Sequence, residues 1–208
     1  MPRRLAVYCG SNLGARPAFK EQATRLGSAM GRRGVGLVYG GGHVGLMGTV
    51  ADALLAAGGE VHGVITKHLV RAEIAHEDLT ELHVVDSMHE RKARMAQLAD
   101  GFVALPGGYG TLDETLEVLT WNQLGLLAKP VVFFDIDGFF DPLFAFLDQA
   151  TDAALLRPAH RMLAQRARSV DEVIALGLAP APLTGHKWID RDATPSSTPA
   201  ASTVEEVG

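Results

Sequence analysis

Short runs of Val, Leu and Phe alternate with longer amphipathic stretches along most of the chain. Six of these runs predict strands, over 5–10, 36–40, 61–65, 82–85, 101–105 and 130–135. Most lack the in-out alternation of a half-exposed strand, the pattern expected when both faces of a parallel sheet are covered. Between them the apolar spacing turns helical over 16–33, 45–57, 87–98 and 112–125. Strand then helix, repeated, implies right-handed crossovers. The expected fold is α/β, a Rossmann-like doubly wound parallel sheet flanked by helices. Residues 66–81 fit no single period and predict a short helix inside a loop.

After Asp135 the pattern predicts helices only, over 141–156, 158–167 and 169–177, the last with Ser169 as N-cap and Gly177 as its stop. Beyond about Pro180 the sequence turns to Pro, Thr, Ser and Ala. Residues 1–180 are therefore expected to form one Rossmann-like domain, and 181–208 a disordered tail.

A chain of 208 residues, 47% hydrophobic and 21% charged, suits one soluble globular unit. Its net charge of −5 argues against a nucleic-acid partner. The apolar run near the N-terminus is too short for a signal peptide, and nothing approaches the roughly 18 apolar residues of a membrane span. One cysteine, Cys9, excludes an intramolecular disulfide, so a cytoplasmic location is expected.

Three strands run into glycine-rich turns: "YCGSNLG" after the first, "YGGGHVGLMG" after the second and "LPGGYGT" after the fifth. Glycine lets backbone approach a ligand, and a helix N-terminus behind it offers free N–H groups to a phosphate. Gly40, Gly42 and Gly45 also satisfy G-x-G-x-x-G, but the next strand ends in Ile65-Thr66-Lys67 with no acid for an adenosine ribose, and Glu60 precedes it. Dinucleotide binding is therefore disfavoured, and three such turns together favour a phosphate.

In "DSMHERKARMAQLAD", Asp86 or Ser87 suits an N-cap, and Met88, Arg91 and Met95 share one helix face with Lys92 beside them. The two cations either extend from the rim to water or face a ligand. Thr111-x-x-Glu114 has the form of a capping box, which accounts for Glu114 locally. It leaves Gly107 and Gly108 unexplained. Cys9 reads as a small buried residue, "DIDG" at 135–138 as a turn, and the histidines show no metal-ligand spacing. Neither a metal nor a cofactor is expected.

Taken together, "CGS" (9–11), "GGGHVGLMG" (40–48), "MHERKARM" (88–95) and "PGGYGTLDE" (106–114) resemble the Lonely Guy family, cytokinin riboside 5′-monophosphate phosphoribohydrolases often mislabelled as lysine decarboxylases. The resemblance covers about residues 5–180 and continues through "TWNQLG" and "KPVVFFD". It implies hydrolysis of the N-glycosidic bond of a purine nucleoside 5′-monophosphate, giving free base and ribose 5-phosphate. It assigns Arg91 and Glu114 as catalytic. Ser11, Gly42, Gly45, Glu73, Lys92, Gly107, Gly108, Tyr109, Gly110, Thr111 and Thr120 would bind substrate. It also implies a homodimer with the site near the subunit interface. Family members often carry a histidine where this chain has Leu127, which affects the rim of the base pocket. Three alternatives stand beside this reading: an AMP nucleosidase acting mainly on AMP, a non-catalytic nucleotide-binding protein, and a pyridoxal-dependent decarboxylase. For the last, none of the five lysines has a recognisable Schiff-base setting.

Overall fold

The computed structural model describes residues 2–72, 75, 76 and 78–182; the tail expected over 181–208 lies almost wholly outside them. The first half of the chain forms β1 (Arg4–Tyr8), α1 (Pro17–Arg32), β2 (Gly36–Tyr39), α2 (Gly45–Ala56), β3 (Val61–Thr66), α3 (Lys67–Ala72), β4 (Glu81–Val85) and α4 (Met88–Leu98). It continues with β5 (Gly101–Ala104), α5 (Tyr109–Gln123), β6 (Val131–Phe134), α6 (Asp141–Asp152), α7 (Pro158–Arg161), β7 (Ala164–Ala167) and α8 (Val170–Gly177). The strands form one sheet in the order β4-β3-β2-β1-β5-β6-β7, every pairing parallel.

The continuous apolar runs follow from this layering. Leu5 and Val7 face one layer with α1, α2 and α8, whereas Ala6 and Tyr8 face the other with α4, α5 and α6, and all four are buried. Alternate residues enter different cores, so no polar face is left to alternate with. All six expected strands form, with bounds shifted by two residues at most.

One element differs in kind from the expectation. Residues 158–167 were expected to be helical throughout, but only α7 is. Ala164–Ala167 pairs with β6 as the edge strand β7, Val131 opposite Ala164 and Phe134 opposite Ala167. Its sequence, Ala-Gln-Arg-Ala, has weak strand preference, so tertiary pairing decides it. The sequence "DIDG" makes a single 3-10 turn, with Asp137 in the left-handed region at φ 52° and the Asp135 carboxylate accepting from the Phe140 amide.

The site depends on how α4 is clamped. At its start Ser87 Oγ accepts from Glu90 N at 3.1 Å, and the Glu90 carboxylate accepts from Asp86 N at 3.0 Å. At its end Lys129 Nζ donates to the carbonyls of Ala96 and Ala99 at 2.7 and 2.6 Å, a cation on the negative end of the helix. Both ends held, α4 has one rotational setting, and that setting turns Arg91 into the protein.

Candidate active site

From β1 the chain crosses to β2, β3 and β4 on one side, then returns to β5 on the other. This reversal opens a crevice over the carboxyl ends of β1 and β5, where open α/β sheets bind ligands. The glycine turns close around it. Gly10 N donates to Pro106 O at 3.1 Å, and Leu46 N donates to Gly10 O at 3.1 Å, so the three loops brace one another. Part of the glycine demand is this bracing: a Cβ on Gly45 (φ +64°) would run into the Ser11 backbone, and one on Gly107 into the Thr111 hydroxyl. At Gly108 and Gly110 a Cβ would meet nothing within 4 Å. There the missing side chain leaves space to the cleft, which encloses about 490 Å³.

Helix α5 starts at this opening. Its N-cap is Gly108, without a side-chain cap, and Leu112 N is the first amide to close onto the Gly108 carbonyl. The expected capping box does not form: Thr111 lies inside the first turn, not at the N-cap. The amides of Tyr109, Gly110 and Thr111 have no intrahelical acceptor, and with the helix dipole they make a site for an anion.

Glu114, freed from capping, points at α4. Arg91 Nη1 donates to Glu114 Oε1 at 2.6 Å, and Arg91 Nε donates to the Val64 carbonyl at 2.9 Å. The two side chains are 9% and 12% exposed, so this pair is buried at the floor of the cleft and not rim charge. Arg91 therefore does not extend to water. Gly40 makes room for it, since a Cβ there would run into Nη2. Burial pushes the Glu114 carboxyl above its ordinary range, with Arg91 opposing that shift. Tyr8, buried beneath the pair, has its phenol held well above the usual value by burial and then by the Glu114 charge. Burial also pushes the Cys9 thiol far up, the wrong direction for a nucleophile.

Of the residues singled out from sequence, Ser11, Arg91, Gly107, Gly108, Tyr109, Gly110, Thr111 and Glu114 line this cleft. Gly45 supports it from behind. Gly42 instead forms an antiparallel bridge to Ala75. Lys92 Nζ is held by Asp113 at 3.0 Å and Glu117 at 3.1 Å. Burial disfavours its charge, but these two carboxylates outweigh that and raise its pKa. Thr120 lies outside the cleft: its hydroxyl donates to Leu116 O at 2.8 Å, and it borders a separate groove between α5 and α7. Glu73 lies outside the described residues. Sequence reasoning missed the apolar wall formed by Phe19, Leu46, Met47, Leu69, Met88 and Phe139. These residues come from several loops and helices and read locally as core. Among the described lining residues Arg91 is the one basic side chain, and Asp113 and Glu114 are acidic.

Several known proteins share this chain's sequence or fold. The family described as "possible lysine decarboxylase" matches residues 47–176. A protein of Oryza sativa subsp. japonica named "Probable cytokinin riboside 5'-monophosphate phosphoribohydrolase" is 50% identical over 161 residues, 77% of this chain and 71% of the relative. A cytokinin riboside 5′-monophosphate phosphoribohydrolase of Arabidopsis thaliana is 46% identical over 172 residues, 83% of this chain and 79% of the relative. Among solved structures, the molybdenum cofactor carrier protein of Chlamydomonas reinhardtii superposes with a TM-score of 0.64 at 22% identity, covering 84% of this chain and 95% of that one. The latter likeness is one of fold.

Proposed function

The chain belongs to the Lonely Guy family, the cytokinin riboside 5′-monophosphate phosphoribohydrolases, and from that premise we propose how its cleft hydrolyses an N6-modified AMP to free base and ribose 5-phosphate. One observation carries the reading: a buried, paired carboxylate stands one helical turn inside an uncapped helix N-terminus. The amides of Tyr109, Gly110 and Thr111 take the 5′-phosphate, which needs no lysine there. That agrees with Lys92 being occupied by Asp113 and Glu117.

With the phosphate held, the ribose lies over Glu114. Breaking the bond from C1′ to the base nitrogen sends its electron pair to the purine and leaves positive charge on the ring. A carboxylate stabilises that oxocarbenium-like state, as in glycosidases, and receives the proton of the water whose oxygen bonds to C1′; the departing purine anion takes up one proton to become the free base, and Glu114 gives one up to return to its carboxylate. Burial raises the basicity of Glu114 for this step, and Arg91, pinned through Nε, fixes its orientation. Arg91 and Glu114 are the proposed catalytic residues; Ser11, Gly107 and Gly108 shape the loop around the nucleotide.

The apolar wall favours a substrate with an alkyl group on N6 over plain AMP. Turnover of N6-isopentenyl-AMP and AMP, followed as free base by chromatography, tests this: a higher kcat/KM for the prenylated nucleotide supports it, and a preference for AMP favours an AMP nucleosidase. The working assembly is a homodimer in the cytoplasm. Supporting the dimer, Leu126, Phe146, Leu155 and Met162 are 63–85% exposed, apolar side chains that a partner subunit would cover.

A further inference from the structure

Far from the cleft, at the amino-terminal end of the outermost strand pair, three side chains converge. In the β3–β4 register Glu81 lies opposite His62, and His83 lies opposite Val64. With a side-chain period of two, all three project from one face. His62 Nδ1 is 3.3 Å from Glu81 Oε2, and His83 Nδ1 is 3.4 Å from Glu81 Oε1. The imidazoles stand stacked, centroids 6.3 Å apart and planes inclined by 13°. His62 is 5% exposed, yet neither of its ring nitrogens makes a hydrogen bond.

A buried imidazole with both nitrogens unsatisfied needs an explanation. Ordinary ion pairing does not supply one, because the Glu81 oxygens sit at the distance of a hydrogen bond without its geometry. Each imidazole nitrogen stands beside its own Glu81 oxygen, at a spacing close to that of a different object. Tetrahedral zinc with bonds of about 2.0–2.1 Å sets neighbouring ligand atoms about 3.3–3.4 Å apart. The ligand atoms of His62, Glu81 and His83 all lie within 4.8 Å of one another.

We propose that His62, Glu81 and His83 bind a divalent transition metal, of which zinc is the best match, independently of the nucleotide site. Two imidazoles and a carboxylate without thiolate suit zinc and exclude a site built for calcium or magnesium. Glu60 Oε2, 3.8 Å from His62 Nε2, supplies a second negative charge nearby. Facing charges are Arg4, 3.8 Å from Glu60, and Arg94 with Glu90, which border the same groove as His83. The metal would tie edge strand β4 to β3. That strand leads through Asp86 and Ser87 into α4, so the tie would steady the helix that carries Arg91. The sequence reading expected no metal because it sought ligands spaced along one segment; here the register between two strands assembles them.

The test uses the full-length protein, stripped by chelator and titrated with Zn²⁺ by calorimetry, with bound metal counted after gel filtration. One Zn²⁺ per chain and a metal-dependent rise in Tm are expected, both lost in His62→Gln and His83→Gln and retained in His89→Gln, a surface control. Removing a direct ligand should weaken binding by more than the roughly 10–100-fold that outer contacts account for. If His62→Gln does not fold, His83→Gln and Glu81→Gln on the edge strand carry the test. No stoichiometric zinc, or unchanged binding by the His83 and Glu81 variants, overturns the proposal.

Discussion

Replacing Glu114 by Gln preserves shape and removes the charge, which isolates what the carboxylate does. In the folded protein Arg91 Nη1 now donates to a neutral oxygen, while its bond to the Val64 carbonyl is untouched. A hydrogen bond to a charged group is worth about 1.5–3 kcal/mol and a neutral one about 0.5–1.5, so the Arg91 bond alone weakens by about 1–2 kcal/mol. Relief from burying the carboxylate acts in the opposite direction and is the larger effect, because burial raises the Glu114 carboxyl in spite of Arg91, so the variant should lose no net stability at neutral pH. For a chain of this size each kcal/mol moves Tm by about 2–4 °C, so Tm should stay at or slightly above the wild-type value. The rate should suffer far more. Loss of the base and of the charge facing the oxocarbenium is expected to cost about 10²–10⁴ in kcat. The assay pairs a thermal melt with chromatographic base release under single-turnover conditions. A melted variant, or one that keeps its rate within threefold of wild type, refutes the reasoning.

Further outcomes are expected. Gly110→Ala places a methyl group in open space on a helix, so Tm should rise by about 1–3 °C while KM for the nucleotide rises; an unchanged KM would mean no ligand approaches that backbone. Arg91→Lys cannot both reach the Val64 carbonyl and hold Glu114, so kcat should fall at least about tenfold with KM less affected, read by steady-state kinetics. The acid limb of kcat/KM should lie above the ordinary glutamate range, because burial raises Glu114 and protonation removes the working form. By the same sign, the stability linked to Glu114 is present at low pH and is lost as pH rises through its folded value, measurable by denaturant melts at several pH values. Leu155→Glu, on the 85%-exposed apolar surface, should shift the protein towards monomer in light scattering.

The doubly wound sheet is readable from sequence because its strands bury both faces, and uninterrupted runs such as Leu5–Tyr8 have no other stable use. β7 is not readable: four residues with two polar ones at a sheet edge carry too little local preference against the pull of pairing with β6. At the site, the glycine turns and the identities of Arg91 and Glu114 are visible in sequence, but their relationship is not. Thr111-x-x-Glu114 is a valid local capping signal, and only the fold shows that α5 starts at Tyr109 and that Glu114 turns instead to Arg91. Lys92 likewise looks available until Asp113 and Glu117 are brought to it from α5. Contacts between separate elements, the zinc ligands included, are decided by register and rotation, which no spacing rule contains.

The most direct measurement is simultaneous quantification of free base and ribose 5-phosphate when purified protein is incubated with N6-isopentenyl-AMP. Equimolar release of both, abolished by Glu114→Gln, is the predicted result. Inorganic phosphate with the nucleoside, or no product from folded protein, would contradict N-glycosidic hydrolysis at this cleft.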